Sequence, residues 1–148
     1  MTKEKATELI TIYGEAWVTQ DPKLILTIFT PDATYFDPHE GEQKGHQGIS
    51  TYWQSKVVES QKDISFKLLN VWVDGETVIA EWNAKFTDLK KGVAIDMHQV
   101  AIFETREEKF SSLREYYWTV KKHQSNENSV CHRSSKRTRD WLRGLPSR

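Results

Sequence analysis

Val71-Trp72-Val73-Asp74-Gly75-Glu76-Thr77-Val78-Ile79-Ala80-Glu81-Trp82-Asn83-Ala84-Lys85-Phe86-Thr87 is the stretch that decides the fold. Val78, Ala80, Trp82, Ala84 and Phe86 alternate with Thr77, Glu81, Asn83, Lys85 and Thr87, the period of a strand with one buried face. Asp74-Gly75 is a tight hairpin turn, so residues 64–73 form the partner strand. Beyond Phe86 a turn at Lys90-Lys91-Gly92 leads to a third long strand over 93–104. The charged run Arg106 to Lys109 then turns into a fourth over 110–120. The carboxyl-terminal half of the domain is therefore an antiparallel meander.

Upstream the period is helical. Ala6, Leu9, Ile10, Tyr13 and Trp17 recur on one face of residues 4–19. Asp21-Pro22 supplies an N-cap and a proline at the first helical position, opening a short helix through Leu24, Ile25, Ile28 and Phe29. Thr30-Pro31 stops it, because the residue before proline avoids the helical region. Ala33 to Asp37 reads as a short strand and Pro38 to Gly48 as a glycine-containing loop. Ile49, Tyr52, Trp53 and Val57 mark a third helix. Three amino-terminal helices and a long meander predict an α+β domain: a cone-shaped, curved antiparallel sheet with helices over one face. The mouth of such a cone is a natural small-molecule pocket.

The 148 residues carry 21 basic and 21 acidic side chains, but residues 121–148 hold eight basic and two acidic ones. A boundary near Val120 separates an acidic domain, 1–120, from a basic polar tail, 121–148, with a short helix expected at 134–143. The longest apolar run is four residues, Val100 to Phe103, too short to span a membrane. The amino terminus lacks the apolar block of a secretory signal, and Cys131 is the one cysteine, so a cytoplasmic protein is expected.

The run Asp32-Ala33-Thr34-Tyr35-Phe36-Asp37-Pro38, then Gly41, then Gly45-His46-Gln47-Gly48-Ile49, resembles the segment between the second and third helices of nuclear-transport-factor-two-like proteins. Within that superfamily the chain is similar to ketosteroid isomerases and SnoaL-like polyketide cyclases over residues 4–120. The resemblance implies the cone-shaped roll and, for an enzyme, a cofactor-independent isomerase, cyclase or dehydratase. It puts Asp37 where ketosteroid isomerases keep the aspartate that moves a proton beside a carbonyl, and Tyr13 where they keep an oxyanion-binding tyrosine. Ala94-Ile95-Asp96-Met97-His98-Gln99-Val100 resembles their third-strand segment, with Gln99 in place of an acidic second donor. Trp118 matches a pocket-lining tryptophan on the last strand. The resemblance also implies a homodimer through the sheet, with His98 and Asp96 on the outer face.

The residues suit this chemistry. Proton abstraction beside a carbonyl needs a poorly solvated base and a donor where negative charge develops. Gln99 shares a strand face with Ile95, Met97, Ala101 and Phe103, so its amide needs a partner inside an apolar setting. An amide is a weaker acid than a carboxyl, and losing an oxyanion donor outright costs on the order of 3 kcal/mol. Trp17, Trp53, Trp82, Phe86, Met97, Phe103, Tyr116 and Trp118 are the candidate pocket lining. The plainer alternatives are that Asp37 only caps the Asp37-Pro38 turn, and that Tyr13 and Gln99 are core residues bonded to each other. Asp37, His39 and His46, with two histidines seven apart in a glycine-containing loop, are a weak signal for a metal site, and no metal or cofactor is expected.

The expected ligand is a small apolar carbonyl compound. A ligand-binding or dimerisation module without catalysis is the alternative on the same fold. Nucleic-acid binding through Arg137, Trp141 and the other basic residues of the tail is a third, less favoured reading.

Overall fold

The computed structural model describes residues 1–121; the basic tail and the short helix expected within it lie outside the described residues. Helix α1 spans Lys3–Thr19 and α2 spans Pro22–Leu26. Strands β1, Phe29–Asp37, and β2, Gly41–Lys44, follow. Helix α3, Gly45–Trp53, runs into a π-helical turn, Gln54–Val58, and strands β3, Gln61–Asp74, β4, Thr77–Asp88, β5, Val93–Arg106, and β6, Lys109–Lys121, complete the sheet. The α+β class and the helices packed on a curved, open six-stranded sheet are as expected. Among the described residues no helix is long and apolar enough to cross a membrane.

The sheet order is β2-β1-β6-β5-β4-β3. Strands β3 to β6 form the antiparallel meander, with Trp82 paired to Gln99 and Gln99 to Tyr117. The sheet is not antiparallel throughout, because β1 joins β6 in parallel, Phe36 opposite Arg114. Strand β6 therefore lies inside the sheet, between the first strand and the third of the meander.

Several boundaries differ from expectation, and three of the differences have a clear local reason. Helix α2 ends at Leu26, because Ile28 turns its carbonyl to the Phe110 amide at 2.8 Å and Phe29 already belongs to β1. Pro31, which has no amide hydrogen, falls where the β1–β6 register slips between Phe29 and Thr34. The expected loop at 38–48 contains β2 and the first turn of α3.

The core sits between α1 and the sheet. Ala6, Leu9, Ile10, Tyr13, Ala16 and Trp17 bury one helix face. Gly14 permits the closest approach: a Cβ there would stand 2.3 Å from the Phe66 ring of β3. Beyond the helix end, the Gln20 side-chain amide donates to the carbonyls of Val57 (2.9 Å) and Gln61 (2.8 Å). These bonds pin α1 to the π turn and to the start of β3, fixing the wide end of the cone.

Candidate functional site

A cavity of about 320 Å³ opens at that wide end. Every element but α2 and β2 sends side chains toward it. Tyr13 and Trp17, one turn apart on α1, Tyr35 and Asp37 from β1, and Tyr52 and Trp53 from α3 form one side. Phe86 of β4, Met97 and Gln99 of β5, and Glu115 and Tyr117 of β6 form the other; Lys56, Lys90 and Lys91 stand among the polar residues of the lining.

Two carboxyl groups dominate it. Asp37 and Glu115 are 6 % and 4 % exposed. Each follows by one residue the Phe36–Arg114 pair of the parallel strands, so they are neighbours on the concave face. Asp37 Oδ1 accepts from the backbone amides of His39 (2.7 Å) and Glu40 (3.2 Å) and from the Tyr117 hydroxyl (3.3 Å). Its Oδ2 accepts from the Tyr52 hydroxyl at 2.6 Å. Asp37 thus caps its turn and also lines the cavity.

Glu115 Oε1 accepts from the Tyr13 hydroxyl at 2.8 Å and from the Tyr35 hydroxyl. Burial pushes the Glu115 carboxyl up from 4.5 to about 7, with the nearby Asp37 charge adding to the rise and the two phenols opposing it. Burial and the Glu115 charge hold Tyr13, Tyr35 and Tyr52 well above the ordinary tyrosine value, so all three remain proton donors. The Gln99 amide faces Glu115 and favours its charged form, but its buried Nε2 makes no hydrogen bond of normal geometry.

Tyr13, Asp37 and Gln99 therefore meet at one floor, with Trp17, Trp53, Phe86 and Met97 in its lining. Tyr13 does not offer its proton to the cavity, because that proton goes to Glu115. Four expected lining residues are elsewhere. Trp82 and Phe103 are fully buried behind the floor, Trp82 against Tyr13 at 5.1 Å between ring centroids and Phe103 stacked on Phe110 at 4.1 Å. Strand alternation on β6 turns Glu115 and Tyr117 inward, which sends Tyr116 and Trp118 to the outer face. Trp118 is 59 % exposed and stacks on the His98 ring. His98 bonds Glu81 at 2.9 Å and Asp96 approaches Lys85, both on that outer face. His46 meets the Phe29 carbonyl and His39 lies over Tyr117, and among the described residues no three ligating side chains come together.

Glu115, Tyr35, Tyr52 and Tyr117 escaped sequence reasoning. For Glu115 and Tyr117 the signal was an acid on the same strand face as Leu113, obscured by three successive aromatics.

A family model of the SnoaL-like domain matches residues 10–113. No curated protein matches the chain. Among solved structures, a type 2 hexachlorocyclohexane dehydrochlorinase, LinA, superposes with a TM-score of 0.71 at 15% identity, over 82% of this chain and 88% of that one. SalBIII, an epoxide hydrolase/cyclase-like enzyme of pyran ring formation in salinomycin, gives 0.66 at 22% identity, over 78% and 92%. A hypothetical protein of ketosteroid isomerase-like fold from Catenulispora acidiphila, in complex with trimethylamine, gives 0.66 at 23% identity, over 74% and 84%. These structures share the fold of the described domain, and the family match covers most of the same residues: the chain belongs to the SnoaL-like domain family.

Proposed function

We propose that the chain is a cofactor-independent enzyme that moves a proton on the carbon next to a carbonyl in a small, largely apolar substrate. The observation that carries this reading is the Gln99 side chain, whose buried Nε2 faces the Glu115 carboxyl without a hydrogen bond of normal geometry, on the same floor as Asp37. A buried donor is costly to leave poorly bonded, and a substrate oxygen beside Glu115 would give it an acceptor.

Asp37 is the base. Its backbone bonds fix the carboxylate, and Oδ2 takes the proton as the C–H pair moves into the new C=C bond. The carbonyl oxygen becomes an enolate oxygen, met by Gln99 Nε2 and by the protonated Glu115 carboxyl. A carboxyl near 7 is an acid through much of the neutral range and so is suited to donate there. Tyr13 and Tyr35 position Glu115. The proton on Asp37 then returns to another carbon, which is isomerisation, or leaves with a group lost from the β carbon, which is elimination. One oxyanion donor contributes about 3 kcal/mol.

Phenols of increasing acidity test this, because a phenolate mimics the enolate oxygen. Asp37→Asn removes the repelling charge and should tighten phenolate binding, while Gln99→Leu should weaken it by about tenfold or more. If no phenol binds the folded wild-type protein, the reading is wrong.

A further inference from the structure

We infer that the cavity also takes a compact alkylammonium cation, free or as the head of a larger molecule, held between the Asp37 and Glu115 carboxyl groups and the aromatic walls. The inference goes beyond the proton-transfer reading and does not depend on it.

It starts from the charge of two buried carboxyl groups, Asp37 and, once the pH passes about 7, Glu115. Asp37 and Glu115 lie side by side and nearly sealed from solvent, yet among the described residues neither forms an ion pair. Every donor to them is neutral: two backbone amides and two phenols on Asp37, and two phenols on Glu115. Neutral donors satisfy lone pairs but do not cancel charge, and buried carboxylates ordinarily have a cation beside them.

The lysines of the lining do not supply it. Lys56 is engaged by Glu40, while Lys90 and Lys91 are exposed on the β4–β5 turn, where water and salt screen them.

The walls fit the same ligand. Trp17, Tyr52, Trp53, Phe86 and Tyr117 line the cavity of about 320 Å³. Aromatic faces attract ammonium groups through their quadrupoles, most strongly where water is excluded. A quaternary ammonium has no hydrogen-bond donors to satisfy, so such walls cost it little.

Choline and its neutral isostere 3,3-dimethylbutan-1-ol, in which carbon replaces the ammonium nitrogen, provide the test by calorimetric titration of the full chain at about pH 8. Choline should bind at least about tenfold more tightly than the alcohol. Asp37→Asn and Glu115→Gln should each weaken choline about tenfold and leave the alcohol within about twofold. The preference should survive about 0.5 M salt, which screens buried charge far less than surface charge. Equal affinity for the two probes, absence of choline binding, a preference lost in high salt, or choline affinity unchanged in both variants would each overturn the inference. If the variants do not fold, the wild-type ratio and its salt dependence still decide. Asp37→Asn acts in opposite directions on choline and on phenolate, so the two proposals fail separately.

Discussion

Replacing Glu115 with glutamine should make the protein more stable at alkaline pH, although the substitution lies in the core of the site. The amide oxygen can still accept from both Tyr13 and Tyr35, so the local geometry is kept while the charge is removed. In the wild type the carboxyl titrates near 4.5 when unfolded and near 7 when folded. Below about pH 4.5 it is protonated in both states and imposes no penalty. Between 4.5 and about 7 the unfolded chain releases the proton while the native chain holds it, so native stability falls as pH rises. Above that range both states are charged and the loss levels off. At about 1.4 kcal/mol per pH unit, the full loss is about 3 kcal/mol.

Urea unfolding followed by tryptophan fluorescence, run on both proteins from about pH 5 to pH 8.5, measures it. The variant's advantage should grow by about 2.5 kcal/mol across that window, most of it before pH 7.5. Asp32 and Glu76, which are exposed, and Glu81, which is half-buried, are carboxylates held below their ordinary values, so their stabilising effect disappears only toward acid pH. They are present in both proteins and cancel in the difference. A gap that stays constant with pH, within about 0.5 kcal/mol, would refute the argument that Glu115 is buried with a strongly disfavoured charge.

Gly14→Ala drives a methyl group into the Phe66 ring and should cost about 1–3 kcal/mol in chemical denaturation, with Phe66→Leu in the same chain recovering part of it. Asp21→Ala removes the cap that accepts from the amides of Lys23 and Leu24, and should lower stability by about 1 kcal/mol in the same assay. Trp118→Ser should leave phenol affinity within about twofold of wild type. A larger change would show that the outer face of β6 communicates with the cavity.

The helices and the meander were legible because their residues obey one period at a time. In β5, for instance, Ile95, Met97, Gln99, Ala101 and Phe103 are all buried, which placed Gln99 correctly on the inner face. Strand β2 was not legible: Gly41-Glu42-Gln43-Lys44 is an edge segment with no apolar side chain to bury, and its pairing with β1 is a tertiary fact. Tyr116-Tyr117-Trp118 failed differently. Three aromatics in succession fit either strand face, so only the sheet decides that Tyr117 points inward. With that parity goes Glu115, two residues earlier, and with Glu115 half of the site's polar chemistry. Asp37 was readable from the motif around it, but its phenol partners come from α3 and β6 and could not be read locally.

The position of β6 inside the sheet has a consequence for how the chain reaches its native state. Until residues 109–121 are available, β1 with its short partner β2 and the β3–β5 group are separate pieces, each with an unpaired edge where β6 will enter. Asp37 and Glu115, 78 positions apart in sequence, become neighbours only in that closing step. Long-range pairing of this kind raises contact order and slows folding. On the ribosome, the domain must wait with two open edges until its last strand emerges, the interval when aggregation or a bound chaperone competes with folding.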